Sequence, residues 1–271
     1  MTKTQQIIEK WYLALNFPKK YDEEFYQSLE EYPVDESLRI EDTDPWSPYG
    51  KENLLRHLYF MEDLHKQYQE KGLPDWVFLN TMQDIVTWTK TWSEVRGELY
   101  LGETQWLRLH FGMKLFGLGR LQFYMGNAWD DLPEMGLKKG EGFLDVHIPA
   151  TGPLSYEECL ESFQKANEFF SEYYPEFSYE HFYCDSWLLD DTLKNYMNPE
   201  SNILKFQTMF TPIRKREENE ILHCIFPRDT TEENLANVVP TSSFAQKVKE
   251  HVLNGGHFYA VMGKRDKNLD Q

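Results

Sequence analysis

Apolar positions along roughly the first hundred residues recur at three-to-four spacing, the period of helices with one buried face. Ile7, Ile8, Trp11 and Leu15 form the first stripe, and Pro18 ends it. A short second helix is predicted over 21–29. The stretch 42–50 is rich in Pro and Asp and reads as a loop. Leu54, Leu58, Met61, Leu64 and Tyr68 line a third helix that stops at Gly72. A fourth starts with Asp75 as expected N-cap and carries Phe78, Met82, Ile85, Trp88 and Trp92 on one face. Gly97 and Gly102 close the helical part.

The period then changes. Residues 106–111 alternate and predict a strand, as do 117–123 and 143–148. A helix is predicted over 155–173, with Leu160, Phe163, Ala166 and Phe170 on one face. Further strands are expected at 182–188, 221–226 and 257–262, and a helix at 243–253. Residues 190–197 and 201–210 read as helical or turn-rich. The chain shows no internal repeat, and it divides into a helical part, 1–103, and a mixed α/β part, 104–271.

Composition narrows the function. The 271 residues carry 28 Lys and Arg against 45 Asp and Glu, a net charge of −17. A nucleic-acid binder needs a basic face to displace phosphate counterions, and no long basic run supplies one. The densest cationic stretch, Arg214-Lys215-Arg216, is followed by Glu217, Glu218 and Glu220 and reads as a polar hairpin tip. Cys159, Cys184 and Cys224 form no CxxC, and an odd cysteine count suits a reducing, cytoplasmic setting. His181 and Cys184 have H-x-x-C spacing, but no second pair completes a zinc site, so no metal is expected. The N-terminus lacks the features of a signal peptide, and no apolar run is long enough to span a membrane.

The stretch 144–172 is the most informative. It runs strand, Gly-containing turn, helix, with Ser155 and Glu158 spaced as a capping box. A helix start leaves amides unsatisfied and carries partial positive charge, so it suits an anion. Gly152 would let backbone approach a ligand, while Pro153 removes one donor. An ordinary strand-to-helix connection fits the same pattern, and Glu157 and Glu158 oppose a phosphate.

The blocks HIPATGPLSYEECLESFQKANEFF, CDSWLLDDTL and SNILKFQTMF, together with GLGRLQF at 117–123, resemble a family of bacterial acyltransferase-like proteins. In that family a helical N-acyltransferase N-terminal domain precedes a GNAT-like C-terminal domain. The resemblance implies a helical N-terminal part followed by a GNAT-like (acyl-CoA N-acyltransferase) α/β domain, with acyl-CoA or acetyl-CoA as co-substrate and a small, amine-bearing acceptor. It implies that Ile148, Pro149, Ala150, Thr151, Gly152, Leu154 and Ser155 hold the CoA pyrophosphate through backbone amides. The usual Q/R-x-x-G-x-G/A motif is reduced here to one Gly, with no matching Arg. Asn202 stands for the usual Asn, and the usual proton-donating Tyr is replaced by Phe206 or Phe210 unless Tyr196 or Cys184 serves.

Amide formation from a thioester needs a neutral amine, a polarised carbonyl and a departing thiolate. His147, at the end of the strand before the turn, is the candidate base, and a structural strand-end His is the plain alternative. Cys184 and Asn202 are the further candidate catalytic residues. Two other readings stand beside the enzyme. One is a GNAT scaffold that binds an acyl-CoA, a metabolite or a protein without catalysis. The other is a covalent route through Cys184.

Overall fold

The computed structural model describes residues 1–42, 44 and 48–268. Positions 43 and 45–47 of the predicted 42–50 loop lie outside the described residues. The chain forms two compact units, Met1–Tyr124 with Ile148–Thr151, and Met125–His147 with Gly152–Gln271.

The first unit is largely helical. Its helices are α1 (Lys3–Ala14), α2 (Asp22–Glu31), α3 (Gly50–Glu70), α4 (Asp75–Arg96) and α5 (Thr104–Phe111). Thr2 caps α1 in a full capping box with Gln5. Tyr12 stacks on Phe25 and Phe17, and Trp11 meets Phe78 edge-to-face at 5.2 Å. Leu54, Leu58 and Met61 of α3 and Phe78, Met82 and Ile85 of α4 are fully buried, as their spacing predicts. Gly97 ends α4 in the left-handed conformation (φ +73°) that a Gly adopts without a Cβ penalty.

The expected strand at 106–111 is the helix α5. Six alternating residues fit either period. The helix is selected because i,i+4 spacing buries Leu107 with Phe111, and lets Trp106 and His110 both reach Asp84. The first unit therefore runs past the 103/104 boundary, to Tyr124. It also holds β1 (Leu115–Gly117), which pairs antiparallel with the start of β2 (Gln122–Asn127). The expected single strand at 117–123 is the turn of this hairpin, where Leu118 N–H donates to Leu121 O and Gly119 sits at φ +94°.

The second unit is built on β3 (Gly142–His147), β4 (Tyr179–Ser186), β5 (Thr211–Glu217) and β6 (Tyr259–Asp266), in the order β3-β4-β6-β5. Helix α6 (Tyr156–Tyr173) makes the crossover that lets β3 and β4 run parallel. The β4–β6 and β6–β5 pairs are antiparallel. Phe163 of α6 packs edge-to-face on Phe182 of β4 at 4.9 Å. Helix α7 (Asn202–Gln207) adds buried Phe206. A second cluster joins Leu193, Phe258, Ile221 and Leu222 of α8 (Glu220–Ile225), and Val248 and Val252 of α9 (Ser243–Leu253). The expected strand at 221–226 is thus α8, whose Ile221 and Leu222 fill that cluster, and the last strand begins at Tyr259. The architecture is the expected one, a helical N-terminal part followed by a mixed α/β part. Among the described residues, no helix is long and apolar enough to cross a membrane.

Candidate active site

Register sorts the predicted residues by face. Leu144 lies opposite Phe182 and Asp145 opposite Tyr183. Opposed residues share a face and successive ones alternate. Leu144, Val146, Phe182 and Cys184 therefore point toward α6, while Asp145, His147, Tyr183 and Asp185 point the other way. The buried/half-buried alternation of β3 agrees.

The parallel ladder ends at Asp145–Tyr183, yet β3 continues to His147 and β4 to Ser186. The two strands part at their carboxyl ends. His147 stands at this opening, with Nε2 3.4 Å from Asp145 Oδ2 and both side chains 31% exposed. The separation is long for a strong hydrogen bond, but the carboxylate can orient the ring.

Asp185, two residues beyond Tyr183 on the same face, takes Arg214 Nη2 at 3.3 Å and Arg216 Nη1 at closer range. Its Oδ1 is buried without a hydrogen-bond partner among the described residues. The cationic stretch is therefore strand β5 and not a hairpin tip. Arg214 and Arg216 share the Asp185 face, and Lys215 turns to the other, reaching Asp191 Oδ1 at 2.8 Å and Asp190 Oδ1 at 3.3 Å. The two-residue spacing of the arginines carried this signal, and their dense charge disguised it.

Cys184 is 1% exposed. Burial, then the carboxylates of Asp145 and Asp185, push its thiol well above the usual range. Cys184 and His147 leave the sheet on opposite faces, so His147 does not activate this thiol. Asn202 is exposed in the first turn of α7, which docks through Gln207 Nε2 bonds to Leu188 O and Asp190 O, each 2.9 Å. Tyr196 donates or accepts at His251 Nδ1, 2.7 Å away, within the α8–α9 cluster. Phe206 and Phe210 are core residues. His181 lies at the other end of β4, 2.9 Å from Asp266.

The segment after β3 divides between the units. In the first, Thr151 N–H donates to Pro149 O at 2.8 Å, and Arg120 Nη1 donates to the same carbonyl at 3.0 Å. Ile148 is half-buried, and Ala150 and Thr151 are exposed. The family motif's Arg is missing from the turn itself, but the β1–β2 connection brings Arg120 to it. In the second unit, Gly152 is exposed at φ +146°, and a Cβ there would meet nothing within 4 Å. Leu154 anchors the chain at 7% exposure. Ser155 Oγ accepts from Glu158 N–H at 3.4 Å and donates to Glu157 Oε2 at 3.2 Å. The capping box is thus half formed, since the hydroxyl engages Glu157 and the return bond from Glu158 is not made.

Comparison with known proteins follows this geometry. The family described as GNAT-like C-terminal domain matches residues 115–264, and the N-acyltransferase N-terminal domain matches 14–113. A crystal structure of an acyltransferase in complex with decanoyl-CoA and teicoplanin is 21% identical, with a TM-score of 0.80 over 96% of this chain and 87% of that one. An acyltransferase with CoA and 10C-teicoplanin is 20% identical over 96% and 87%, again at 0.80. A mutant acyltransferase with octanoyl-CoA is 20% identical over 96% and 88%, also at 0.80. These likenesses show a shared fold. No curated protein sequence matches the chain. By the span of both domain matches, the chain belongs to the acyltransferase family that joins an N-acyltransferase N-terminal domain to a GNAT-like C-terminal domain.

Proposed function

We propose that this protein transfers an acyl group from acyl-CoA to an amine on a small-molecule acceptor. The observation that carries the reading is the parting of β3 from β4 beyond Asp145–Tyr183, with His147 at the opening and the start of α6 next in the chain. Parted parallel strands offer backbone groups to a ligand lying along them. Gly152 and the first amides of α6 suit the pyrophosphate, with Ile148, Pro149, Ala150, Thr151, Leu154 and Ser155 shaping the same turn.

His147, steadied by Asp145, takes the proton from the acceptor ammonium. The neutral amine attacks the thioester carbonyl. The new C–N bond forms, the adduct nitrogen gives up its extra proton, the C–S bond breaks, and the departing CoA thiolate takes up that proton to become the free thiol, while His147 returns its own proton to solvent. Asn202 is exposed and available as a polar contact for CoA. Cys184, buried on the opposite face, has no part in the step. The similar structures hold decanoyl-CoA, octanoyl-CoA and teicoplanin, which favours a medium acyl chain and a glycopeptide amine among the substrates to try first.

Calorimetry with acetyl-, octanoyl- and decanoyl-CoA tests binding, and thiol release in the presence of an amine acceptor tests transfer. His147→Asn should retain CoA affinity and lose about 100-fold or more in turnover. No heat and no thermal shift with any CoA species would remove the reading. Glu157 and Glu158 beside the turn, and Phe206 in place of a proton donor, favour a second reading, a scaffold that binds without catalysis. CoA binding with no thiol released by any amine would select it.

A further inference from the structure

The first unit contains a buried carboxylate that acyl transfer does not use. Asp84, on α4, is 3% exposed. It accepts hydrogen bonds from Trp106 Nε1 at 2.9 Å and His110 Nε2 at 3.0 Å, and a third from the Gln122 side chain. Burial opposes its ionisation, but these bonds and the charge attraction of His110 outweigh burial and hold the carboxyl below the usual range.

His110 is fully buried, its Nε2 faces Asp84, and its Nδ1 has no hydrogen-bond partner among the described residues. A buried carboxylate is costly unless it is paired and hydrogen-bonded.

A cavity of about 130 Å³ opens beside it, lined by Asn80, Gln83, Asp84 and Gln122 with Gly119, Pro149 and Thr151. This is well above the roughly 10–15 Å³ that admits one water. Asn80 and Gln83 turn their amide nitrogens away, to Gly119 O at 3.1 Å and Leu15 O at 3.1 Å. Their carbonyl ends remain as acceptors. We propose that this cavity binds the primary ammonium group of a small organic amine, its three N–H donors meeting Asp84, Asn80 and Gln83. Three acceptors match an ammonium, whereas hard cations such as calcium gather six or more oxygens. The cavity shares Pro149 and Thr151 with the turn proposed for CoA, but the ammonium contacts and their test use no CoA.

The test titrates the full-length protein with n-propylammonium chloride at constant ionic strength, following melting temperature and the Asp84 carboxyl ¹³C resonance. A saturable rise of about 3 °C is expected, with a matching resonance shift. Tetramethylammonium and propanol should give neither. Asp84→Asn should weaken binding at least tenfold. If that variant fails to fold, Gln83→Met removes one acceptor and should also weaken binding. No saturable effect of propylammonium overturns the proposal. So does an equal effect of potassium chloride, which would make the cavity an alkali-ion site.

Discussion

His57 gives the sharpest stability test. It lies on α3, 1% exposed, with Nδ1–H donating to Asn53 O at 2.7 Å and the ring edge-on to Phe111 at 5.5 Å. Its Nε2 is buried without a partner among the described residues. Burial, reinforced by Arg56 and Arg108 and opposed by the Asn53 carbonyl, pushes the imidazole from 6.5 down to about 4. The folded state therefore binds fewer protons than the unfolded one between these values. Stability is fully present above the unfolded value and falls as pH drops toward the folded one. At 1.36 kcal/mol per unit, moving from about pH 7.5 to 4.5 costs about 2.5 kcal/mol through this residue alone. Urea unfolding of wild type and His57→Leu at several pH values isolates the effect, because all other titrating groups are common to both. The wild type should lose about 2.5 kcal/mol more than the variant over that range. Equal pH slopes in the two proteins, or an imidazole that titrates above about pH 6 by NMR, would refute the assignment of burial as the dominant effect.

Cys184→Ala should keep full thiol-release turnover and cost about 1 kcal/mol in stability. A tenfold loss of turnover with the fold intact would return Cys184 to the chemistry. Two glycines separate steric from conformational strain. In Gly142→Ala the new Cβ would stand 2.3 Å from Ser178 O, so the paired start of β3–β4 must shift, and urea titration should show a loss of about 2–3 kcal/mol. In Gly152→Ala the space is open and only the φ of +146° is penalised, at about 1–2 kcal/mol, and calorimetry should show weaker CoA binding with the sheet unchanged. Equal costs for the two would contradict the geometry. Finally, the Kd for decanoyl-CoA should hold or tighten between about 10 and 150 mM salt, and a severalfold weakening would mean that cations carry the binding.

The helical stripes, β3, α6, β4 and the split into a helical and an α/β part were legible because each has one strong period over enough residues. Residues 106–111 were not, because six alternating positions fit a helix and a strand equally, and the deciding contact, Asp84, is more than twenty residues away in sequence. The same misreading hid the Trp106–Asp84–His110 network. Residues 221–226 failed for a related reason, since a short apolar run fits either element until a cluster claims it. For the site, strand alternation by itself puts His147 on the face of Asp145, two residues before it. It could not place Cys184 against them, because the face of a neighbouring strand depends on register, and register is a pairing property. Arg120 reaches the turn only through the β1–β2 hairpin, so no local motif could have announced it.

The net charge of −17 acquires its meaning from these pairings. The long-range field repels a polyanion, so a CoA site here must rely on short-range groups. Among the cations, Lys205 is committed to Glu200 at 3.1 Å, and Arg214 to Asp185 and Glu134. The first turn of α6 adds Glu157 and Glu158. Besides Arg120, which donates to Pro149 O, the turn and the helix start offer backbone amides, whose dipoles act within a few ångströms and are little screened by salt. Salt then removes repulsion without removing attraction, which is the opposite of counterion-release binding. An acidic chain can in this way hold an anion, provided that the site is made of peptide groups and the surrounding field is kept short.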